Sequence, residues 1–277
     1  MMRQRASVAR LLTYAVLVAG SAFMLLPLYW MLNSSLKTNA RVFDFPPQWL
    51  PSPAEWSNYP ALFSYMPFLT FIKNTLIIEI GVIAGTLASC SLAAYSFARL
   101  NWPGRDIVFV ILLSVLMLPT FSTLVPSFIL WQHLHAVDTF APLIVPAWFG
   151  NSFFIFLLRQ FFRGIPRDLE EAARIDGAGI VRVFTSIILP LSKPALAVVA
   201  IFAFMGVWND FLGPLIYLSS TSNLTLAVGL NLFLTSNGTR WELLMAASCI
   251  VVVPMVVIFF AFQRYFIEGI ALTGIKG

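Results

Sequence analysis

Charge is scarce in this chain, and its scarcity is the first guide to the class of protein. Asp, Glu, Lys and Arg make up 10% of the 277 residues, whereas 59% are hydrophobic, and the mean hydropathy is +0.86. A soluble domain carries about 25% charged residues. The composition therefore excludes an ordinary soluble fold and indicates a membrane protein.

Cysteine and histidine are also scarce, which argues against two kinds of chemistry. Cys90 and Cys249 are the only cysteines, and both fall within apolar runs, where they are expected to pack as small apolar side chains. His133 and His135 are the only histidines, and no third ligand lies near them in the sequence. Neither a disulfide framework nor a metal site is therefore predicted.

The chain also lacks the motifs of catalysis and of nucleic-acid binding. A phosphate-binding loop requires G-x-x-x-x-G-K-[ST]. Among the four lysines only Lys37 is followed by Ser or Thr, and Leu36 precedes it. No constellation of a nucleophile with a base is present, and no basic and aromatic motif. We therefore expect a chain that is not an enzyme, binds no cofactor itself and does not bind nucleic acid.

Long apolar runs are what the chain has in abundance. An α-helix of about 20 apolar residues crosses the hydrocarbon core of a bilayer, and a helix satisfies its own backbone groups in lipid. The sequence therefore predicts an all-α bundle of six membrane-spanning helices, forming a single domain over residues 1–277. The predicted spans are about 11–36, 74–98, 107–131, 139–158, 194–218 and 243–263.

The distribution of basic residues predicts the orientation of the bundle, because cytoplasmic loops are enriched in Lys and Arg. Of the 17 basic residues, 13 fall on the side that holds both termini. Both termini are therefore expected to be cytoplasmic. The first run has 26 residues, whereas a signal-peptide core has about 7–15, so this run is expected to be a retained span. The basic residues expected on the outer side are Lys37, Arg41, Lys73 and Arg240.

The most polar segment is the loop over residues 160–193, which the orientation places in the cytoplasm. Its bland interpretation is a solvated loop that is basic because it faces inward. Several of its residues are too small or too apolar for that role alone, and they favour a surface on which another protein docks. These residues are Ala172, Ala173, Ile175, Ala178 and Ile180.

The fine structure of this loop can also be predicted. Asp168 and Glu171 have the spacing of a capping box, so about two turns of helix are expected over 169–176. Gly177 stands where a helix ends in a left-handed residue. A second short helix is expected over 180–188, ending before the next proline.

Two acidic residues fall within predicted spans, where ionisable groups are costly and often functional. Asp210 lies beside Trp208 and Asn209, close to Gly213-Pro214. These three polar or aromatic residues either line a translocation path or, as the interpretation we favour, hold a kink in the helix at the Gly-Pro pair. Glu79 is expected either to face another subunit and the path or to lie among the lipid headgroups.

The polar loop carries a motif that resembles a known family. Permease subunits of binding-protein-dependent ABC importers have, in their last large cytoplasmic loop, EAA, three residues, G, nine residues and I-x-L-P. The sequences VWNDFLGPLIYL and QRYFIEGIALTGIKG are similar to the carbohydrate-uptake branch. The chain thus resembles the six-span subunit of the maltose-type pair with a GxKG tail. The residues that match the loop motif are Glu171, Ala172, Ala173, Gly177, Ile187, Leu189 and Pro190.

The resemblance implies a permease of a sugar or oligosaccharide importer in the inner membrane of a bacterial or archaeal cell. It also implies the partners: a second permease in a heterodimer, two copies of a cytoplasmic ATPase that hold ATP and Mg²⁺, and an extracytoplasmic binding protein. It assigns coupling to the ATPase to Glu171, Ala172, Ala173, Gly177, Leu189 and Pro190, and a contact of the tail with the ATPase to Gly274, Lys276 and Gly277.

Other functions stay open at this point. The same machinery could import a sugar-like solute such as a glycerol phosphate ester. An ion-coupled secondary transporter would favour repeated halves, interrupted helices and carboxylates near the midplane, and the sequence shows no such repeat. A scaffold without a path would leave the polar residues of the fifth span unexplained.

Overall fold

The computed structural model describes the backbone of residues 2–234 and 238–274, and the side chains of residues 10–119, 121–234 and 238–263. All regular elements in these ranges are helical and none is a strand, so the all-α prediction is confirmed. The α-helices are α1 Met2–Ser35, α2 Asn58–Tyr65, α3 Phe68–Arg99, α4 Arg105–Ser114, α5 Thr120–His133, α6 Ala141–Ile144, α7 Ser152–Gly164, α8 Asp168–Ile175, α9 Ile180–Val183, α10 Leu189–Leu191, α11 Lys193–Trp208, α12 Leu212–Tyr217, α13 Leu226–Asn231 and α14 Trp241–Gly274.

Six stretches of the described chain are candidates to cross a membrane, and four of them have no sharp bend. The four are Arg10–Ser35, Phe68–Arg99, Ala141–Gly164 and Trp241–Gln263. Two more are pairs of helices bent at a short break. Arg105–Met117 and Phe121–His133 meet at 101°, and Ile180–Leu191 and Lys193–Trp208 meet at 76°.

The third predicted span is therefore wrong as a single helix over 107–131. Its bend falls at Leu118 and Pro119, whose ψ angles of 124° and 132° are extended. A proline restricts the residue before it to extended conformations, and its ring nitrogen has no hydrogen to donate to the helix. The sequence of the turn, not the apolar run around it, decides where the helix stops.

The fourth predicted span is longer than expected and is not uniform. α6 passes into a 3₁₀ turn over Val145–Phe149, and α7 then continues to Gly164. Asn151 begins α7 because its side-chain oxygen accepts hydrogen bonds from the backbone N–H groups of Phe153 and Phe154, at 3.0 and 3.2 Å. This cap satisfies two of the amide groups that every helix start leaves unpaired.

The chain divides into two compact units, and the first comprises residues 1–68 and 230–254. Within it, α2 is a short helix in the loop that follows α1. Asn58 ties α2 to the end of α1, since its amide donates to the carbonyls of Ser35 and Lys37 at 2.9 and 2.8 Å. The Lys37 ammonium donates to the Gln48 carbonyl at 2.6 Å, and burial lowers the pKa of Lys37.

The second unit comprises residues 69–229 and 255–277, and α3 is packed closely by the chain over 141–151. A Cβ on Gly81 would lie 2.8 Å from the Ile144 side chain, and one on Gly85 would lie 2.6 Å from Trp148. One turn further along, the Ser89 hydroxyl donates to the Ala147 carbonyl at 2.9 Å. Small residues four apart on one helix face let a second segment approach its backbone, as at helix contacts in membranes.

The core of the second unit lies around the C-terminal half of α3. Apolar side chains from α3, α4, α7, α9 and α11 form it, together with the π-helical turn Phe184–Ile188. Its buried members include Cys90, Ala94, Tyr95, Phe97, Phe109, Leu158, Phe162, Val183, Ile188 and Val199. The segment over 160–193 is therefore attached to a packed core and is not a loop that faces only solvent.

Candidate functional site

The first helix of the 160–193 segment, α8, forms where it is predicted but without the expected cap. Asp168 is its first helical residue, and the preceding Arg167 is helical in φ and ψ and makes no side-chain cap. The predicted capping box from Asp168 to Glu171 is therefore wrong. Three acids in the first turn, Asp168, Glu170 and Glu171, instead lie near the positive end of the helix dipole.

Gly177 has the left-handed conformation that its position predicts, with φ of +83°. Nothing lies within 4 Å of the point where a Cβ would stand. The glycine is thus required by backbone conformation, because a side chain is strained at this φ and no neighbour excludes it. It turns the chain between α8 and α9.

The second helix of the segment does not end before Pro190, as predicted. It runs from α9 through a π-helical turn over Phe184–Ile188 into α10, which includes Pro190. A proline is tolerated in the first turn of a helix, where its missing N–H has no partner to lose. Leu189 packs partly against the core, whereas Pro190 is exposed.

α8 and the start of α9 present an exposed surface with both apolar and acidic groups. Ile175 is 86% exposed and Val181 is 74% exposed. Glu171 and Ala172 are exposed as well, while Ala173 packs partly against the core. An apolar patch beside an exposed carboxylate has the composition of a contact surface, since exposed apolar side chains gain from being covered.

The acid next to Glu171 points the other way, which the sequence analysis missed. The Glu170 carboxylate pairs with the Arg99 guanidinium, with 3.0 Å between Nε and Oε1, and the two side chains are 7% and 3% exposed. Arg99 also donates from Nη2 to the carbonyls of Phe162 and Ile165. Arg99 therefore joins the end of α3 to the end of α7 and to α8.

The helical spacing of α8 agrees with the burial of Glu170. Glu170 and Ala173 are three residues apart, and residues so spaced share a helix face. Because Ala173 packs against the core, Glu170 must face inward too, and a buried carboxylate needs a cationic partner. The identity of that partner, 71 positions earlier, could not be read from the local pattern.

The fifth predicted span is interrupted, and its break is not at the Gly-Pro pair. α11 ends at Trp208, and α12 begins at Leu212 and contains Pro214. The carboxylate of Asp210 accepts a hydrogen bond from the Gly213 N–H at 3.0 Å. Asp210 thus stabilises the start of α12, which is the structural role favoured from the sequence, with the kink misplaced by a few residues.

The other two candidate path residues are held locally. Trp208 is buried and stacks on Phe204, with ring centroids 5.3 Å apart. The exposed Asn209 donates from its amide to the Met205 carbonyl at 2.8 Å. These contacts fix the end of α11. Contact of these residues or of Asp210 with a solute stays a prediction.

A small cavity lies beside Asp210. Its volume of about 30 Å³ has room for one or two waters but not for a sugar ring. Of the four candidate path residues, only Asp210 lines this cavity. The lining residues are Thr75, Ile78, Leu143, Val207, Asp210, Pro214 and Thr225.

Glu79 is enclosed by the chain itself, which fits neither of its two expected places, facing another subunit or lying among the headgroups. The residue is 3% exposed, and neither carboxylate oxygen has a hydrogen-bond partner among the described side chains and backbone. An unpaired carboxylate is costly to bury. Glu79 is therefore an exceptional group within α3, although its role as a path residue stays a prediction.

A second acid that the sequence analysis did not select, Asp138, holds another loop. Its carboxylate accepts hydrogen bonds from the N–H groups of Ser219 and Ser220, at 2.9 and 3.0 Å, and from the Ser220 hydroxyl. Its own N–H donates to the Tyr217 carbonyl at 2.7 Å, and its carbonyl accepts from Asn223 at 2.7 Å. The hydrogen bonds from the Ser220 hydroxyl and the two amides hold the pKa of Asp138 well below its ordinary value.

The predicted tail contact falls largely outside this geometry. Gly274 is the last residue of α14, whereas Lys276 and Gly277 lie outside the described residues. The contact of the tail with an ATPase therefore stays a prediction.

The comparisons with known proteins define the family to which the chain belongs. Residues 81–271 match the family described as binding-protein-dependent transport system inner membrane component. The match covers well over half of the chain, and the chain belongs to this family. It is a multi-pass membrane protein and a transport permease subunit, as its resemblance in sequence implied.

Among individual relatives, the chain is similar to the maltodextrin transport system permease protein MdxG of Bacillus subtilis. The two are 34% identical, and the match covers 98% of this chain and 99% of the relative. The arabinooligosaccharides permease protein AraQ of Halalkalibacterium halodurans is 37% identical over 76% of this chain and 75% of its own. The sn-glycerol-3-phosphate permease protein UgpE of Yersinia enterocolitica is 31% identical over 93% and 94%.

The fold has a counterpart among solved structures. A chain of a bacterial ABC transporter involved in the import of the acidic polysaccharide alginate superposes with a TM-score of 0.82, covering 93% of this chain and 97% of that one. The identity is 22%, so this likeness concerns the fold.

Proposed function

We propose that this chain is one of two permeases in an ATP-driven importer of a sugar or oligosaccharide. An extracytoplasmic binding protein delivers the solute, and two copies of a cytoplasmic ATPase hold ATP and Mg²⁺ and supply the energy. The assembly lies in the inner membrane of a bacterial or archaeal cell. The relatives named for arabinooligosaccharides and maltodextrin support the solute class.

The coupling role is supported by two adjacent acids on α8 that face opposite sides of the helix. Glu170 is buried and paired within the chain, whereas Glu171 is exposed beside Ala172 and Ile175. The helix is thus fixed from one side and presents a carboxylate and apolar groups on the other. This surface fits an ATPase cleft that offers a basic side chain and an apolar wall.

The test of coupling is co-purification of the ATPase with Glu171→Lys and Gly177→Val complexes. Truncating one member of a buried interfacial charge pair costs about 2–5 kcal/mol, and reversing the charge is expected to cost more. Gly177→Val forces a Cβ into the left-handed region, at about 1–2 kcal/mol. Both variants are expected to keep the partner permease and to lose the ATPase or its coupling to uptake. Asn101→Lys, an exposed change in the turn between α3 and α4, is the control.

A second solute class has a specific observation in its favour. UgpE, a relative of similar identity, is named for sn-glycerol-3-phosphate. The two classes are distinguished by thermal shift of the purified binding protein, since a ligand at 100 times its Kd stabilises by about 2.7 kcal/mol. An oligosaccharide is expected to raise Tm, and glycerol 3-phosphate is not. A shift with the phosphate ester alone would replace the sugar proposal.

A further inference from the structure

α3 contacts different loops at its two ends, and both contacts are made by buried polar side chains. Near its N-terminal end, Asn74 and Thr75 bind the backbone of the segment 222–226. At its C-terminal end, Arg99 binds the 160–193 segment through Glu170 and two carbonyls. The helix therefore joins the segment that carries the family motif to a segment far from it.

The N-terminal contact is specific. The Asn74 amide donates both of its hydrogens, to the Ser222 carbonyl at 2.8 Å and to the Leu224 carbonyl at 2.9 Å. The Thr75 hydroxyl accepts from the Leu226 N–H at 2.9 Å. Both residues are buried. Because these bonds go to the backbone, α3 holds the course of this segment whatever its side chains are.

The C-terminal contact is also buried. It is an ion pair between Arg99 and Glu170, whereas the N-terminal contact consists of hydrogen bonds between neutral groups. The carboxylate and the guanidinium lie where the effective dielectric is low, so their attraction is large and either one alone would be costly to bury. The two carbonyl acceptors fix the orientation of the guanidinium. α8 therefore cannot rotate against α3 without breaking this cluster.

Between the two contacts α3 is an uninterrupted α-helix with no proline. Asn74 and Arg99 are 25 positions apart, which at 1.5 Å per residue is about 37 Å, more than the hydrocarbon thickness of a bilayer. The basic-residue distribution assigns the 222–226 segment to the outer side and α8 to the cytoplasm. One helix thus connects two loops on opposite faces.

We propose that α3 transmits the state of the coupling helix α8 to the 219–226 segment, with Arg99, Glu170 and Asn74 as positioning residues. The proposal rests on the proposed function, in which α8 contacts the ATPase. Movement of α8 carries Arg99 and α3 with it, and Asn74 moves the backbone of the outer segment. In the reverse direction, a binding protein seated on the outer segment alters the position of α8 and hence the ATPase.

The test measures how far the loaded binding protein stimulates ATP hydrolysis by the complete complex in proteoliposomes. Two variants remove one contact each: Arg99→Met with Glu170→Met, and Asn74→Leu. The double Met change replaces the buried pair by apolar side chains of comparable size, a kind of change that is often neutral for stability. Each variant is expected to keep the ATPase attached and to lower the stimulation by about fivefold or more.

Matched controls separate this role from general damage. Arg10→Gln removes an exposed arginine on α1, outside the α8 surface, and should leave stimulation unchanged. Asn101→Leu makes the same chemical change as Asn74→Leu at an exposed position and should also be silent. Parental stimulation in both contact variants would overturn the proposal. Loss of the ATPase from the double Met complex would overturn it too, because the pair would then serve assembly.

Two outcomes distinguish transmission by α3 from docking of α8. If Glu171→Lys releases the ATPase while both contact variants behave as the parent, α8 docks but α3 does not transmit. If Glu171→Lys keeps normal attachment and normal stimulation, the docking role of α8 fails and this inference fails with it.

Discussion

Two loops of the second unit are each held by one acidic residue, and the two attachments differ in their physics. Asp138 accepts hydrogen bonds from neutral donors at a partly exposed position. Glu170 is buried and pairs with a charged partner. Water can replace donors at the first site but cannot reach the second. The first loop is thus held in a way that can be released, whereas the second is fixed to its helix.

Removing one member of the buried pair is expected to cause the largest loss of stability. Arg99→Ala or Glu170→Ala leaves a charge buried without its partner, which costs about 3–5 kcal/mol. Both single variants are expected to lower the Tm of the purified complex far more than Arg99→Met with Glu170→Met. Equal Tm values for the single and double variants would show that the pair is solvated and that the contrast with Asp138 is mistaken.

At the other site, Asp138→Ala is expected to have a smaller and local effect. A typical hydrogen bond contributes about 1 kcal/mol net, so hydrogen exchange at the Ser219 and Ser220 amides should speed up about fivefold. Asp138→Asn keeps one acceptor oxygen and should lie between the parent and Ala. A global fall in protection, extending to the core around Leu158, would show that this loop is part of the main cooperative unit.

The smallest effect is expected from pH. The folded-state pKa of Asp138 is lowered by its hydrogen bonds, and the ordinary value is about 3.9. Its contribution is therefore fully present above about pH 4 and is lost only as the pH falls through the lowered pKa. Exchange protection of Ser219 and Ser220, corrected for intrinsic rates, should not change between about pH 8 and pH 5. A loss of protection by pH 5 would contradict the assignment of the cluster.

The features that the sequence predicted are those set by local composition. The apolar runs predicted helices because a membrane allows little else, and Gly177 was predicted because a helix end favours a left-handed glycine. The breaks were harder to place. Pro119 lies where one helix stops, whereas Pro190 is accommodated in the first turn of α10, directly after a π-helical turn.

Long-range partners could not be predicted. Glu170 finds Arg99, and Asp138 finds Ser219 and Ser220, across 71 and more than 80 positions. A single sequence holds no record of such pairing. Burial of Glu79 was missed for a related reason, since nothing near it in the sequence indicates which elements enclose α3 at that level.

Thiol labelling tests most directly whether α3 connects a segment on the outer face to a coupling helix on the inner face. On a background lacking Cys90 and Cys249, Ser222→Cys and Ser186→Cys each place one thiol at an exposed position. An impermeant thiol reagent added outside intact cells is expected to modify residue 222 and not residue 186. Modification of residue 186 from outside, with residue 222 protected, would reverse the orientation and contradict both coupling proposals.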